Sequence, residues 1–321
     1  MTADTDQPLL EVRGLAVRFG ALTAVDDVSY RLAAGRTLGV VGESGSGKTV
    51  SALALLDLVP PPGRIAAGAV RWQGRDVDAP ARHALRGRHV AMIFQDPLSA
   101  LNPALTIGAQ VAESLILHQG LAGAAAREAA LGWLERVGLP EARRQAAFYP
   151  HELSGGLRQR ATIAIALACG PAMLIADEPT TALDVTVQAR ILDLLLDLQA
   201  ELGLALQFIS HNLAVVSEIA DDIAVMYAGT IVEIGPAQRL FAAPHHPYTR
   251  ALLAALPRPG QRRPPEPIAG MVPTLAERAA GCLYADRCPL VLPACRLARP
   301  RLTDIGDGRS TACIRQGEVA A

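Results

Sequence analysis

Gly42-Glu43-Ser44-Gly45-Ser46-Gly47-Lys48-Thr49 fits the pattern G-x-x-x-x-G-K-[ST] at every fixed position. This segment is called the phosphate loop below. It follows the apolar run 37–41, which predicts a strand, and it precedes residues 48–58, whose apolar spacing predicts a helix. Its glycines let backbone N–H groups surround an anion, and the helix start adds its positive dipole end. Lys48 is expected to contact the β- and γ-phosphates of a bound nucleotide, and the Thr49 hydroxyl is expected to bind Mg²⁺. The alternative is a glycine-rich turn that precedes Lys-Thr by chance.

A phosphate loop of this kind needs a carboxylate on a neighbouring strand. Met173-Leu174-Ile175-Ala176-Asp177-Glu178 provides one, because four small or apolar residues predict a buried strand with two acids at its C-terminal end. Asp177 is expected to hold the Mg²⁺ shell, and Glu178 is expected to polarise the attacking water as a general base. The alternative is an acidic strand end that caps the next helix.

From Leu9 to about Leu240, short apolar strands alternate with helices, which predicts an α/β domain. The phosphate loop and the acidic pair within it indicate the P-loop NTPase class. Between Leu101 and Ala168 the pattern is mostly helical. We therefore expect a nucleotide-binding domain over 1–243 with a helical subdomain inserted at about 101–168. Predicted elements outside that subdomain are strands at 89–94, 172–176 and 204–209, a helix over 185–202 capped by Gly203, and a hairpin of 222–227 with 230–234.

The composition changes after Pro244. Prolines are dense over 257–273, which predicts a linker or an irregular wrap, and a cysteine-bearing segment ends the chain. We therefore expect a small, irregular C-terminal extension over 244–321.

The overall composition excludes some classes of protein. The 321 residues include 30 basic and 31 acidic side chains, so the basic excess of a nucleic-acid binder is missing. Residues 1–8 do not have the pattern of a secretory signal, and the longest apolar stretch, 161–176, is interrupted by Gly170 and Pro171 and is too short to span a membrane. The chain is expected to stay in the cytoplasm, where disulfides are disfavoured.

His151-Glu152-Leu153-Ser154-Gly155-Gly156-Leu157-Arg158-Gln159-Arg160 resembles the signature segment L-S-G-G-x-x-Q-R of ABC ATPases. Ser154 lies where a helix begins, and Gly155 and Gly156 leave the backbone bare, so the helix start is suited to an anion. The resemblance implies that this segment, with Gln159, closes over the γ-phosphate bound by a partner subunit. The alternative is an ordinary serine N-cap beside flexible glycines.

Two further segments resemble ABC motifs on the catalytic side. Phe94-Gln95-Asp96 resembles the Q-loop, which implies that Gln95 contacts Mg²⁺ or the attacking water and senses the membrane partner. Ser210-His211-Asn212 resembles the switch-histidine segment, with His211 on the γ-phosphate. The alternative for His211 is a structural histidine. Asn212 departs from the aspartate that is usual in the family.

Two other positions complete the resemblance, which covers nearly the whole chain. Thr181-Ala182-Leu183-Asp184 resembles the D-loop, which crosses the interface between two ATPase subunits. Phe19, 29 residues before Lys48, resembles the aromatic residue that stacks on adenine, although tyrosine is commoner there. The alternative for Phe19 is a core side chain on strand 12–19.

The C-terminal extension resembles that of the oligopeptide and dipeptide importers. His246-Pro247-Tyr248-Thr249 matches the H-P-Y-T segment of these ATPases, and 281–289 (Gly-Cys-Leu-Tyr-Ala-Asp-Arg-Cys-Pro) matches their C-terminal region. Met271-Val272-Pro273 stands where that group often has Gly-x-Pro-Pro. Importers of nickel, glutathione and some sugars share parts of this extension.

Four cysteines crowd into the last 40 residues with the spacing C-x5-C-x6-C-x17-C: Cys282, Cys288, Cys295 and Cys313. In a cytosolic protein this predicts a tetrathiolate site, although the spacing fits neither a zinc finger nor a ferredoxin run. The subfamily resemblance implies a [4Fe-4S] cluster. Zn²⁺ and a structural role for unligated thiols are the alternatives. No residue of the extension matches a nucleotide contact, so the extension is expected to be structural or regulatory.

Taken together, the motifs and the resemblance predict the ATP-hydrolysing subunit of an importer of peptides. ATP with Mg²⁺ is the expected cofactor. The expected partners are two transmembrane permease subunits, a second related ATPase chain and, indirectly, an extracytoplasmic solute-binding protein, but no nucleic acid. The chain is expected on the cytoplasmic face of the inner membrane as a peripheral subunit. A soluble ABC ATPase of DNA repair or translation and a non-hydrolysing regulatory subunit are the rival hypotheses.

Overall fold

The fold is described by a computed structural model in which residues 7–181, 183–256 and 267–319 are placed. Most of the predicted proline linker, 257–266, and Ala182 of the D-loop segment lie outside the described residues. By contacts the chain divides into two compact units, Met1–Ala79 with Phe208–Ala321, and Pro80–Gln207. The predicted domain boundary at 243/244 stays a prediction.

The first unit contains an antiparallel sheet that the sequence analysis indicated only at its first strand. Its strands are β1 (Leu10–Phe19), β2 (Leu22–Leu32), β4 (Gly63–Trp72) and β5 (Arg75–Asp76), in the order β2-β1-β4-β5. Apolar residues of β1 and β2, among them Val17 and Val25, are fully buried. The sheet thus gives the N-terminal segment its own apolar face.

A second sheet of this unit carries the phosphate loop. Its strands are β3 (Thr37–Val41), β9 (Asp222–Tyr227), β10 (Thr230–Pro236), β11 (Thr303–Gly306) and β12 (Arg309–Thr311), in the order β11-β12-β10-β9-β3. All five residues of β3 are buried, as a parallel strand requires, and β3 pairs in parallel with β9. The predicted β9–β10 hairpin is confirmed, with positive φ at Ala228 (45°) and Gly229 (90°) in its turn.

Short helices complete this unit. They are α1 (Lys48–Leu55), α9 (Leu213–Ile219), α10 (Ala237–Ala242), α11 (Pro247–Ala254), α12 (Pro293–Leu297) and α13 (Gln316–Val319). Helix α1 ends three residues before the predicted Leu58, because Asp57 adopts the left-handed conformation with a φ of 53°. Residues 267–319, called the tail below, contain α12, β11, β12 and α13.

The second unit combines two parallel strands with helices. Strand β6 (Val90–Ile93) pairs with β7 (Met173–Asp177), and β8 (Ala205–Ser210) begins in this unit. The helices are α2 (Ala79–Leu85), α3 (Pro97–Ala100), α4 (Ile107–Gln119), α5 (Gly123–Arg136), α6 (Ala142–Gln145), α7 (Gly155–Leu167) and α8 (Val185–Leu202), with a 3₁₀ turn at Pro150–Glu152.

Buried apolar residues of α4, α5 and α7, among them Val111, Leu134 and Ile163, form a helical core. The predicted α8 is confirmed residue for residue, with Gly203 as its left-handed C-cap. Among the described helices, none has the length and apolar character needed to cross a bilayer.

Candidate functional site

The phosphate loop connects β3 to α1 and closes around the Lys48 ammonium. Lys48 Nζ donates to the carbonyl of Gly42 over 2.7 Å and to that of Glu43 over 3.0 Å, and the side chain is 5% exposed. The Ser46 N–H donates to the Glu43 carbonyl over 3.2 Å, which closes the turn. Lys48 is also the only lysine in the sequence. The loop thus holds one cation among its carbonyls, at the start of a helix.

Two positions of this loop require glycine, Gly42 because of close approach and Gly47 because of its positive φ. A Cβ at Gly42 would lie 2.2 Å from the Met226 carbonyl oxygen, and Gly42 has a φ of 156°. Gly47 has a φ of 93°, and its Cβ would lie 3.2 Å from the Ala24 carbonyl oxygen. Gly229 donates to the Ser46 carbonyl over 2.8 Å, so the hairpin turn also contacts the loop.

In the second unit, the two predicted acids follow each other at the end of β7. Asp177 is the last residue of the strand and is 1% exposed. Gln95 Nε2 donates to Glu178 Oε2 over 3.2 Å, and Thr181 Oγ1 donates to the same oxygen over 2.9 Å. The structure therefore brings together Gln95 and Glu178, which are separated by 83 positions. Glu178 also has a φ of 47°, a sparsely populated conformation for a residue with a side chain.

The signature segment begins helix α7. Ser154 is at the N-cap position, yet its side chain makes no capping hydrogen bond to the described helix. Ser154 and Gly155 are exposed. The missing capping bond differs from an ordinary serine N-cap, which was the alternative interpretation of this segment in the sequence. Gln159 is 1% exposed, and its Nε2 has no hydrogen-bond partner among the described residues.

The start of α8, which follows the D-loop segment, packs against that helix start within the same unit. A Cβ at Gly156 would lie 2.8 Å from Val187 Cγ1, so only glycine allows this approach. Asp184 caps α8, since its Oδ1 accepts from the Val187 N–H over 3.0 Å. Gln188 Nε2 donates to the carbonyls of Thr180 and Leu183, each over 2.9 Å, and thus supports the segment.

The switch segment and Phe19 lie in the first unit. His211 follows β8 and is exposed, and Asn212 caps α9 by accepting from the Ala214 N–H over 3.1 Å. Asparagine is as good an N-cap as aspartate, so the departure at Asn212 keeps this local role. Phe19 ends β1 and is half-buried, with ring atoms 2.6 and 2.8 Å from where a Cβ of Gly63 would stand.

The His-Pro-Tyr-Thr segment forms the start of helix α11, and hydrogen bonds hold this start in place. His246 Nδ1 accepts from the Tyr248 N–H over 3.1 Å, and Pro247 occupies the first turn. Glu233 of β10 accepts from the N–H groups of His245 and His246 over 2.7 and 3.0 Å. Burial lowers the pKa of His246 to about 3 and raises that of Glu233. The helix start is thereby fixed against the sheet.

This arrangement directs the Tyr248 hydroxyl at the phosphate loop. The hydroxyl accepts from the Glu43 N–H over 2.9 Å, and Tyr248 is fully buried. Its ring packs against Tyr227 and Tyr284 with centroid distances of 4.6 and 5.3 Å, and these three residues form the tyrosine cluster. Arg287 of the tail adds an ion pair to the Glu43 carboxylate. The sequence analysis missed both contacts, because no local pattern pairs positions so far apart in the chain.

The four tail cysteines line one small cavity of about 20 Å³ with mostly apolar neighbours such as Leu290 and Ala312. Backbone N–H groups point at two of the sulfurs: that of Leu292 donates to Cys295 Sγ over 3.5 Å, and that of Arg315 to Cys313 Sγ over 3.4 Å. Burial raises the pKa of the Cys313 thiol to about 11. Among the described residues, no group of three or more His, Cys, Asp or Glu side chains is arranged to hold a single metal ion.

Comparison with protein families identifies the class. The profile described as "ABC transporter" matches residues 25–181, which include the phosphate loop, the signature segment and the acidic pair. Among solved structures, the ATP-binding cassette MJ0796, dimeric and bound to ADP and Pi, is 27% identical with a TM-score of 0.61 and covers 71% of this chain and 98% of its own. CbiO1 from Clostridium perfringens, 24% identical with a TM-score of 0.65 over 74% of this chain and 92% of its own, shares the fold.

A second family profile matches the C-terminal part of the chain. The profile "Oligopeptide/dipeptide transporter, C-terminal region" matches residues 232–295. The dipeptide transport ATP-binding protein DppD of Escherichia coli is 47% identical over 95% of this chain and 96% of its own length. DppD of Haemophilus influenzae is 48% identical over 95% and 94%.

The chain therefore belongs to the ABC transporter family as one of its P-loop ATPases, which bind ATP with Mg²⁺ and hydrolyse ATP. Within that family it belongs to the group that carries the oligopeptide/dipeptide C-terminal region.

Proposed function

We propose that this chain hydrolyses ATP to drive the import of oligopeptides or dipeptides through a membrane permease. The observation that carries the proposal is the joining of an ABC cassette, matched over 25–181, to the oligopeptide/dipeptide C-terminal region, matched over 232–295. Relatives named for dipeptide transport cover nearly the whole chain, which supports the same solute class. Importers of nickel, glutathione or sugars with the same ATPase type are the alternative.

In the proposed site, Glu178 activates the attacking water, with Gln95 beside it and His211 on the γ-phosphate. The two hydrogen bonds to Glu178 Oε2 support this role, because they orient the carboxylate. Lys48 and the backbone N–H groups of the phosphate loop hold the phosphates, Thr49 and Asp177 bind Mg²⁺ with Gln95, and Phe19 stacks on adenine. The position of Asp177 at the C-terminal end of β7 supports its role, because α/β sheets bind ligands beyond the carboxyl ends of their strands.

The proposed ATP site is shared between two ATPase chains. Ser154, Gly155 and Gly156 would meet the γ-phosphate on the partner chain, with Gln159 and Asp184 behind them. Their support is the exposed start of α7, where the Ser154 side chain is not used in capping. Val185, at the start of α8, is 81% exposed, which fits an interface at the D-loop. The similar cassette MJ0796 is a dimer in its solved structure. The expected partner here is a related but distinct ATPase subunit.

The permease is expected to pack against the helical part of the second unit. Leu98 beyond Gln95, Leu117 of α4 and Tyr149 are 50%, 70% and 40% exposed, so large apolar side chains are available there for a protein partner. Through two such permease subunits the chain would lie at the cytoplasmic face of the inner membrane as a peripheral subunit. An extracytoplasmic solute-binding protein would deliver the peptide to the permease.

The four-cysteine cavity of the tail is proposed to hold a [4Fe-4S] cluster. The donor set fits, since four thiols line one cavity and backbone N–H groups donate to two of the sulfurs, as is typical of cluster ligands. A single Zn²⁺ would need all four sulfurs within about 2.3 Å of one point. Cys282, Cys288, Cys295 and Cys313 would be the ligands. When bound, such a group would cross-link a tail that has little apolar core of its own.

Reconstitution tests the proposed function. The chain is purified with its two permease subunits and its partner ATPase, placed in liposomes, and supplied with the solute-binding protein. We expect ATP-dependent accumulation of labelled di- or oligopeptides that stops with Glu178→Gln. Uptake of Ni²⁺ or glutathione in place of peptides would replace the solute assignment, and a chain that never co-purifies with a permease would contradict transport.

A further inference from the structure

A two-point ion pair connects the tail to the phosphate loop. Arg287 Nη1 donates to Glu43 Oε2 over 2.7 Å, and Arg287 Nη2 donates to Glu43 Oε1 over 3.0 Å. The arginine side chain is 5% exposed, and that of Glu43 is 30% exposed. Because a guanidinium is planar and rigid, two parallel hydrogen bonds fix the orientation of the carboxylate as well as its distance. The pair therefore constrains where the second residue of the loop can lie.

Glu43 is held at its backbone as well. Its N–H donates to the Tyr248 hydroxyl over 2.9 Å, and its carbonyl accepts from Lys48 Nζ over 3.0 Å. Glu43 thus contacts Tyr248 and Arg287, both from the C-terminal part of the chain, on one side. On the other side it contacts Lys48, the residue proposed to bind the phosphates. A shift of Glu43 would remove one of the two carbonyls that hold the ammonium closest.

Arg287 is itself fixed by the tail and by the tyrosine cluster. Its Nε donates to the Ala269 carbonyl over 2.8 Å, and its guanidinium lies 5.7 Å from the centre of the Tyr227 ring and 5.8 Å from that of Tyr284. The next residue, Cys288, lines the four-cysteine cavity. The conformation of this part of the tail is therefore transmitted to Glu43 through one rigid side chain.

A second tail arginine contacts strand β2 next to the phosphate loop. Arg278 Nη1 donates to the carbonyls of Thr23 and Ala24 over 2.6 and 3.0 Å. The Ala24 carbonyl oxygen is the atom that a Cβ at Gly47 would approach within 3.2 Å. Arg287 thus holds a side chain near the start of the phosphate loop directly, and Arg278 holds the part of β2 that lies against Gly47 near its end.

We infer that Arg287 is a positioning residue for the nucleotide site: with Tyr248 it holds Glu43, and through Glu43 the phosphate loop, in the conformation that binds ATP. The inference rests on the proposed role of residues 42–49 in holding the phosphates. It makes the tail a determinant of ATP affinity, although no tail residue needs to touch the nucleotide. Because preorganisation changes the competent fraction of the free protein, loss of Arg287 should raise the Kd for ATP and leave kcat at saturating ATP nearly unchanged.

The test compares Arg287→Gln with Arg296→Gln in the full-length chain. Arg296 is a matched control, since it is in the same tail and pairs with Asp286, but both partners are more than half exposed. We expect Arg287→Gln to raise the Kd for Mg-ATP, measured by calorimetric titration, by about tenfold, which corresponds to a competent fraction near one tenth. Arg296→Gln should bind as the wild type does. In the assembled transporter, KM for ATP should rise with Arg287→Gln, while kcat should change less than twofold.

The single lysine gives a second readout that does not depend on ATP. Since Lys48 is the only side-chain amine of the chain, acylation by an amine-reactive ester, located by mass spectrometry, reports on the phosphate loop alone. A loosened loop exposes this buried ammonium, so Lys48 in Arg287→Gln should react several times faster than in Arg296→Gln. A general loss of structure is recognised separately, by circular dichroism and thermal melting.

Glu43→Gln completes the design. It keeps Arg287 and removes only the charge of the partner, so it decides the question if Arg287→Gln does not fold. Both single variants and the double variant should weaken ATP binding to a similar extent, because they remove the same pair. Folded single variants with the wild-type Kd and wild-type Lys48 reactivity would overturn the inference. Lys48→Ala measured alongside keeps the two hypotheses apart: full ATP affinity in that variant would contradict the phosphate-loop assignment itself.

Discussion

Gln95 Nε2 lies 3.2 Å from Glu178 Oε2, and the Thr181 hydroxyl meets the same oxygen over 2.9 Å. Gln95, from the segment after β6, and Thr181, from the segment after β7, thus both donate to the carboxylate of Glu178. Glu178 also has a φ of 47°, a conformation that costs about 1–3 kcal/mol for a residue with a side chain and persists only where the surroundings enforce it. An oriented carboxylate at a strained position is well placed to accept a proton from water.

We predict that Glu178→Gln removes turnover but keeps ATP binding. The amide has the same size and can still receive hydrogen bonds, but it cannot take a proton, so phosphate release should fall by about 10²–10⁴-fold. ATP should then hold the two ATPase chains in the closed form, detectable by native mass spectrometry. Glu113→Gln, at an exposed position of α4, is the control. Equal phosphate release in Glu178→Gln and wild-type complexes would exclude Glu178 as the base.

We predict that Lys48→Ala weakens nucleotide binding. The ammonium is buried and would make charge-assisted hydrogen bonds to phosphate, each of which contributes about 1.5–3 kcal/mol, so the Kd should rise roughly 10–150-fold. The change also removes hydrogen bonds to the carbonyls of Gly42 and Glu43, so melting must be measured in parallel. Arg75→Ala removes an exposed charge from β5 and should bind normally. An unaltered Kd in folded Lys48→Ala would exclude the phosphate contact.

Local patterns predicted the parts of the fold that local physics determines. The apolar run of β3, the period of α8 with Gly203 after it, and the Ala228-Gly229 turn each produced the expected element. Most of the N-terminal antiparallel sheet was missed, because β4 is rich in small residues and largely exposed, so its alternation is weak. The end of α1 was misjudged because the left-handed Asp57 is not signalled by a glycine.

In the candidate site, too, local patterns predicted the segments made of neighbouring residues and missed the contacts between residues far apart in the chain. Linear motifs predicted the phosphate loop, the acidic pair and the signature segment, since each is formed by neighbouring residues. Arg287 and Glu43 are 244 positions apart, and Glu233 reaches the start of α11 from 13 positions away through a side chain, so neither contact follows from spacing. The extension was expected to be structural or regulatory and to supply no nucleotide contact, and nothing in the sequence indicated that Arg287 of the tail pairs with Glu43 of the phosphate loop. A glutamate within the loop and a buried arginine in the tail were the available signals, but no rule pairs them.

We predict that Ser154→Arg blocks hydrolysis in the site whose phosphate loop belongs to the partner chain. Ser154 is exposed and makes no capping hydrogen bond to the described helix, so a larger side chain should cost little folding free energy. The bulky cation would instead fill the space where the γ-phosphate must meet the start of α7. Ser154→Ala is the control for steric effects and should keep part of the activity.

The same shared site predicts slow hydrolysis by the isolated chain. At high dilution each chain lacks the signature segment of its partner, so the rate per chain should rise with concentration and with assembly. A diluted monomer as fast as the full complex, or full activity of both sites with Ser154→Arg, would contradict a site formed by two chains.

We predict that the His-Pro-Tyr-Thr segment makes the fold sensitive to acid. Burial lowers the pKa of His246 to about 3, below the value of about 6.5 for an unfolded histidine. Between these two values the unfolded chain binds a proton that the folded chain excludes. The free energy of unfolding should therefore be unaffected by His246 above pH 6.5 and fall by about 1.4 kcal/mol per unit as the pH drops below it.

His246→Asn isolates this effect. Asparagine can still accept the Tyr248 N–H at the helix start, but it does not titrate. The variant should lose less stability than the wild type between pH 6.5 and 4.5 in urea denaturation, although it starts lower. Glu233, whose pKa burial raises, opposes part of the slope in both proteins. His118→Asn, at an exposed histidine, should keep the wild-type slope. Equal slopes for His246→Asn and wild type would contradict the prediction.

The last prediction concerns what the tail cysteines bind. If Cys282, Cys288, Cys295 and Cys313 hold an iron–sulfur cluster, anaerobically purified protein should be brown, with broad absorption near about 400 nm from thiolate-to-iron charge transfer and iron and sulfide near about four per chain. Cys288→Ser should lose the colour and lower the melting temperature and assembly, because the tail then lacks its cross-link. Cys169→Ser, which changes a cysteine that is not among the residues lining the cavity, is the matched control and should keep both colour and metal.

The metal content separates the three hypotheses for these thiols. One Zn²⁺ per chain would support the zinc alternative and would require all four sulfurs within about 2.3 Å of the ion. Protein kept strictly anaerobic that contains no metal, with all four thiols open to alkylation, would leave the tail as a protein wrap. The ion pair of Arg287 with Glu43 would then have to keep its geometry without a metal, and the Lys48 acylation rate would be the same in metal-free protein and in protein with reconstituted iron and sulfide.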